Sequence, residues 1–160
     1  MVIIIMKFII NSILGSSLAI GGSIACGDVV TDWNSTMLQA FANQGSAATP
    51  PDNTRTLAMA SVAMFDAVNS IDRSYTAYSG YYATSGPASA EAAAAQAAHD
   101  VLVNIFATNA TQVSAFDSLL NSQLATITDT SQRGNGVSLG HAVASSVLGS
   151  RASDGSTASS

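Results

Sequence analysis

TRTLAMASVAMFDAVNSI, residues 54–71, decides the fold. Leu57, Ser61, Met64, Val68 and Ile71 recur at steps of four, three, four and three, which puts them on one face of a helix. Met59, Val62, Ala63 and Ala67 form a second stripe beside the first. A helix this apolar is expected at the centre of its domain. Asp52 or Asn53 is the expected cap, and Pro50-Pro51 stops whatever precedes it. Asp66 and Asp72, near the far end, can pair with Arg55 or Arg73 or cap the following turn.

The same reading extends outward to four more helices. Residues 33–43 carry Met37, Leu38 and Phe41 as an apolar stripe, with Thr31 or Asp32 as cap and Gly45 as stop. After residue 71 comes a loop holding Tyr75, Tyr78, Tyr81 and Tyr82. These rings can form a ligand-stacking platform, but the simpler reading lays them over the bundle with their hydroxyls in water. A helix then starts near residues 87–89 and runs to about Phe106, with Glu91 complementing its positive end. Its alanine-rich part, residues 91–98, buries little area per residue and must pack close to a neighbour. Residues 111–127 repeat Val113, Phe116, Leu120, Leu124 and Ile127 at helical spacing. Residues 131–151 carry Val137, Val143, Ala144, Val147 and Leu148. Gly134, Gly136 and Gly140 weaken that last helix by roughly 1 kcal/mol each relative to alanine, unless a neighbour needs the space. No sustained strand alternation appears, so the expectation is an all-α antiparallel array of about five helices.

Composition limits what such an array can do. Of 160 residues, 48% are hydrophobic, 6% aromatic and 9% charged, with a formal net charge of −5. The charged fraction is about a third of the usual value, which argues against charged disorder. The length suits one domain. Beyond Lys7 the only basic residues are Arg55, Arg73, Arg133 and Arg151, spread along the chain. No basic run exists to neutralise a phosphate backbone, so a nucleic-acid partner is not expected.

Residues 1–27 read as a secretory signal: an apolar stretch interrupted by Asn11, Ser12, Gly15, Ser16, Ser17, Gly21 and Gly22. A start at Met6 rather than Met1 would place Lys7 in its ordinary position at the front. Ser23-Ile24-Ala25 favours cleavage before Cys26, and Ala25-Cys26-Gly27 offers a second site before Asp28. The expected destination is the periplasm or the exterior. Membrane attachment follows only if Cys26 carries lipid or the signal stays uncleaved; Ser23 stands where a lipid-attachment site wants leucine. Cys26 is the only cysteine, so no intramolecular disulfide can form. The helical domain is expected over residues 28–152. Residues 153–160 form a Ser/Gly/Thr/Ala tail, flexible by composition or marking a point of truncation.

Chemistry is hard to find in this text. A metal site needs several Cys, His, Asp or Glu side chains converging. The chain has His99 and His141 only. His99-Asp100 are sequence neighbours, which point apart on a helix. His141 has no carboxylate three or four residues away. Ser138-Leu139-Gly140-His141 is not a G-x-S-x-G elbow, and no strand precedes it. A phosphate-cradling loop needs a lysine that the chain lacks after residue 7. No catalytic, cofactor-binding or metal-ligating residue is therefore assigned from the sequence.

Four segments, in order, carry a resemblance. They are Asp28-Val29-Val30-Thr31-Asp32-Trp33-Asn34, the stretch from Arg55 through Asp66-Ala67-Val68-Asn69 to Asp72, the run Glu91-Ala92-Ala93-Ala94-Ala95-Gln96-Ala97-Ala98-His99 with Val101-Leu102, and residues 140–155 ending Arg151-Ala152-Ser153-Asp154-Gly155. Together they resemble the N-terminal helical region of bacterial vanadium-dependent haloperoxidases of the type-2 phosphatidic acid phosphatase superfamily. Many relatives have histidine where Ser61 stands and tyrosine where Phe65 stands. The resemblance implies vanadate held by a histidine among lysine, arginines and a Ser-Gly-His segment, with bound peroxide oxidising halide. A multiply charged oxyanion needs such cationic forks. Those motifs come later in the family than anything here, and none of its ligands can be placed on a numbered residue.

The expectation is thus a secreted front segment of a haloperoxidase-like protein, inactive alone, whose partner is the C-terminal catalytic half of the same protein. Vanadate is expected for the full-length family and no cofactor for this chain. Two alternatives stand beside it: a secreted or lipid-anchored helical binding module without catalysis, and the front end of a related acid phosphatase. Whether the chain belongs to an enzyme is left open. A separated front segment should also leave an apolar face uncovered on the second or fourth helix.

Overall fold

The computed structural model describes residues 25–45 and 49–156. They form five α-helices and, among the described residues, no strand: α1 (Ala25–Gln44), α2 (Pro50–Asp72), α3 (Ala90–Ile105), α4 (Ala110–Thr126) and α5 (Thr130–Arg151). The all-α reading holds. Of the expected leader, residues 1–24 lie outside the described residues, and Ala25, Cys26 and Gly27 form the first turn of α1. No helix among the described residues is long and apolar enough to cross a membrane.

Helix starts fall earlier than the sequence suggested at two places. α1 begins ahead of Thr31 and Asp32, which lie inside it rather than capping it. Its buried stripe is Val29, Trp33, Met37 and Ala40, while Leu38, expected inward, is 58% exposed. The wide indole of Trp33 sets which face turns inward. α2 is capped by Thr49, not by Asp52 or Asn53. The Thr49 hydroxyl accepts from the Asp52 N–H, and the Asp52 carboxylate accepts from the Thr49 N–H at 3.2 Å, a reciprocal capping box. Pro50 and Pro51 sit in the first turn, where a missing N–H costs nothing. Ser89, Asn109 and Asp129 cap α3, α4 and α5 through their side chains.

The centre of the domain is α3, not α2. α3 packs against all four other helices, and every alanine of residues 92–98 is buried. The physical reason is size. A methyl side chain lets neighbours approach from every side, whereas α2 carries large residues that force its outer face away. The inward face of α2 is accordingly Met59, Ala60, Ala63, Met64 and Ala67, closer to the second stripe than the first. Leu57 and Phe65 stay on the outside at 38% and 41% exposure. In α4, Phe116 and Leu120 are buried and Val113 and Leu124 are half-buried, as is Ile127 at its C-terminal cap.

α5 lies against α3 through Gly136, Leu139, Gly140, Val143, Ala144 and Val147. A Cβ at Gly136 would sit 2.5 Å from the Ser89 carbonyl oxygen; one at Gly140 would sit 2.6 Å from Gln96 Cβ. Those two glycines supply the space for backbone-to-backbone approach. Gly134 has nothing within 4 Å. At the remaining end of the core, Trp33 packs between His99 and Phe116, and Phe106 meets Phe41 and Phe116. The Trp33 Nε1–H donates to Gln123 Oε1 at 2.8 Å, so the buried indole keeps its hydrogen bond.

Candidate functional site

Three polar arrangements stand out, and the second and third join residues far apart in the chain. The first fastens the tyrosine loop to α2. Asp66 is fully buried, and its two oxygens accept the N–H groups of Tyr78 and Ser79, both at 2.7 Å. Asn69 reads the backbone of Tyr75 in both directions: its Nδ2 donates to the Tyr75 carbonyl at 2.5 Å and its Oδ1 accepts the Tyr75 N–H at 2.9 Å. Ser70 Oγ accepts from the Tyr82 N–H. Asp66 and Asn69, the polar residues of the Asp66-Ala67-Val68-Asn69 core, therefore spend themselves on loop backbone. Asp72 accepts from the Ser74 hydroxyl. Tyr75, Tyr78 and Tyr81 remain exposed while Tyr82 packs on the core. The Tyr81 hydroxyl donates to the Tyr75 carbonyl, and the Arg73 guanidinium lies 4.9 Å from the Tyr81 ring centroid.

The second is a chain of titratable groups across α4, α3 and α5. His99 Nε2 meets Asp117 Oδ1 at 2.8 Å and His99 Nδ1 meets Asp100 Oδ1 at 2.9 Å. The other oxygen of Asp100 contacts His141 Nδ1, and Gln96 donates to Asp100 Oδ1 at 2.7 Å. A carboxylate on each ring nitrogen of His99 can be satisfied at both ends only by the imidazolium. Burial lowers the His99 pKa, but the hydrogen bonds and charges of Asp100 and Asp117 outweigh it and leave it raised. Burial likewise raises Asp100, and the bonds from His99, His141 and Gln96 outweigh it and leave it lowered. The sequence reading missed this cluster. Adjacent residues on a helix do diverge, yet a long imidazole can fold back onto its neighbour, and His141 arrives from another helix. Asp100 holds His141 by one nitrogen, the arrangement that orients a general base. Ser138, however, donates to the Gly134 carbonyl of its own helix and supplies no nucleophile there. No group of three or more His, Cys, Asp or Glu side chains among the described residues is disposed to hold a metal ion.

The third is a cavity of about 210 Å³ between α2 and the end of α5. Arg55 and Arg151, 96 positions apart, both line it. Arg55 Nε donates to Asp154 Oδ2 at 2.8 Å, and Arg55 Nη2 donates to the Arg151 carbonyl at 3.1 Å, closing off the end of α5. Arg151 Nη2 points to the Tyr78 hydroxyl at 3.5 Å. The Asp154 pKa is held down to about 2, first by Arg55 and then by Ser156. Arginines that look scattered in the sequence are thus partly gathered, and residues 153–156, expected as loose tail, include an anchored carboxylate. Residues 157–160 lie outside the described residues.

His141 and Arg151 are ten residues apart on α5, about 15 Å along the axis. Both imidazoles are turned to carboxylates, Arg55 and Arg151 lie at the cavity, Arg73 lies over Tyr81, and Arg133 donates to the Leu124 and Ile127 carbonyls. Among the described residues, the two imidazoles and the Arg55 and Arg151 guanidiniums do not converge on one place. Comparisons of the chain with protein-family models, curated proteins and solved structures find no match.

Proposed function

We propose that this chain is the helical front segment of a secreted haloperoxidase-like protein, a scaffold against which a catalytic portion packs. The observation that carries the reading is the outer face of α2. The helix holding the most specific part of the resemblance, residues 55–72, leaves Leu57 and Phe65 exposed, and Phe65 adjoins exposed Tyr75 and Tyr78. Phe65 and Tyr75 lie with ring centroids 6.3 Å apart, an aromatic pair open to solvent. Apolar surface of this kind suits a covering element. On this reading the histidine, lysine and arginines that hold the oxyanion belong to later residues, and this chain supplies rigidity rather than chemistry.

Halide oxidation tests it. With vanadate, peroxide and bromide, the 160-residue chain should brominate a phenol-red indicator no faster than buffer. A reading frame continuing past Ser160 into Ser-Gly-His and arginine/histidine motifs should give a protein that does. Phosphate-ester hydrolysis by that longer protein, without vanadate-dependent oxidation, would replace the haloperoxidase reading with the phosphatase one. A second reading, a self-sufficient binding module, draws on the closed core around Trp33 and Phe116 and on the Arg55–Arg151 cavity. A native stop codon after Ser160, with a stable monomer in solution, favours it.

A further inference from the structure

We propose that the cavity between α2 and α5 binds a small monocarboxylate with an apolar body, and that the Asp154 carboxylate is its built-in competitor. The argument starts from charge. Arg55 and Arg151 bring two guanidiniums to one cavity, and Asp154 brings one carboxylate. Arg55 is committed to Asp154 and to the Arg151 carbonyl. The Arg151 fork, by contrast, makes one long contact to a tyrosine hydroxyl at 3.5 Å. A fork with five donors in a fixed plane is the group best matched to a carboxylate. Asp154 already shows where such a carboxylate sits. It is charged at neutral pH, and its Oδ2 sits 2.8 Å from Arg55 Nε.

The rest of the cavity selects the body of the ligand. Met59, Val62 and Val147 line it with apolar surface. A volume of about 210 Å³ exceeds what one carboxylate fills; an apolar cavity of about 150 Å³ takes benzene. Room therefore exists for an acid of about six carbons. Val62 and Tyr78 also line a shallower depression running along α2 past Phe65, which extends the apolar path. The Tyr78 wall is fixed, since Asp66 holds the backbone of Tyr78 and Ser79. Inorganic phosphate suits the site less: it gains nothing from the apolar floor, and Asp154 repels its second charge. This proposal does not rest on the haloperoxidase reading.

The experiment is an amide-shift NMR titration of the full 160-residue chain. The probes are hexanoate and N-acetylleucine, a free acid and a peptide-terminus form of the same chemistry, with hexanol and inorganic phosphate as contrasts. Hexanoate or N-acetylleucine should shift Tyr78, Ser79 and Ser150 saturably, and the tighter of the two names the source. Hexanol should not saturate. Asp154→Asn should tighten the acid about tenfold and Arg151→Gln should weaken it by a similar factor, the size of one charge-assisted contact. Circular dichroism checks that both variants fold. The proposal is overturned if neither acid shifts these amides in wild type or in Asp154→Asn. It is equally overturned if phosphate binds as tightly as the acids, or if Asp154→Asn leaves the affinity unchanged.

Discussion

Gly140→Ala should destabilise the domain, and the structure gives the size of the effect. A Cβ built there would lie 2.6 Å from Gln96 Cβ, 2.7 Å from the Ala93 carbonyl oxygen and 2.9 Å from the Ala97 nitrogen. Carbon atoms pack at about 3.5–4.0 Å, so α5 must retreat from α3 by roughly 1 Å. Two of the three obstructing atoms are backbone and cannot swing aside. Overpacking of this kind costs about 1–3 kcal/mol. Alanine returns about 1 kcal/mol through helix propensity. With backbone in the way the upper end applies, and the net loss is about 2 kcal/mol. Gly134→Ala, in the same helix with nothing within 4 Å, keeps the propensity gain alone, about 1 kcal/mol. The two variants should therefore differ by about 3 kcal/mol. Urea unfolding followed by far-ultraviolet circular dichroism reads this directly: with a slope of about 2 kcal/mol/M the midpoints separate by about 1.5 M. A Gly140→Ala chain as stable as the parent would refute the close α3–α5 seam.

Trp33→Ala removes a fully buried indole and leaves Gln123 without its donor, so a loss of about 3–5 kcal/mol is expected in the same unfolding assay; a loss under 1 kcal/mol would mean α1 is not docked as described. Asp66→Asn presents an amide NH₂ to one of two backbone N–H groups that now each have a carboxylate oxygen; it should cost about 1–3 kcal/mol and speed hydrogen exchange at Tyr78 and Ser79. Unchanged exchange there would show that the loop is held by other means. For His99 the folded pKa is raised above its ordinary value of about 6.5, so its contribution to stability is complete below that value and is lost as pH rises through the folded pKa. Thermal stability should fall on that alkaline side in the parent and lose the slope in His99→Gln. Trp33, 6.3 Å from the His99 ring, should report the same titration in its emission; a slope that survives the substitution would remove His99 as its source.

Periodicity made the helices legible, because each buries a face at a regular step. It ranked them wrongly for the same reason. Side-chain size marks how much area a residue buries, and Leu57, Met59, Met64 and Ile71 made α2 look central. Position at the centre depends instead on how closely neighbours approach, and there the alanines of α3 and the glycines of α5 win. The cap of α2 was misplaced because proline reads as a stop, although it fits a first turn equally well. Asp66 and Asp72 do hold the segment after α2, one of the roles their position suggested, but the two long-range polar clusters were illegible for a different reason. His141 reaches Asp100 across 41 positions, and Arg55 reaches Asp154 across 99. Neither spacing is a local motif, and both follow from how α5 is registered on α3 and α2.

That dependence makes one more outcome testable. Gly140 is the residue before His141, and its backbone sits directly against Ala93 and Gln96 of the helix that carries Asp100. Pushing α5 outward at Gly140 must lengthen the reach from His141 to Asp100, because both groups are fixed to the two helices being separated. Trp33 and Gln123, held by α1 and α4, do not cross that seam. In Gly140→Ala the ring-proton resonances of His141 should therefore move, while the Trp33 indole N–H resonance stays in place. Gly134→Ala should move neither. If the Trp33 resonance shifts as far as those of His141, the domain yields as a whole. The seam would then not be what brings the second histidine to Asp100.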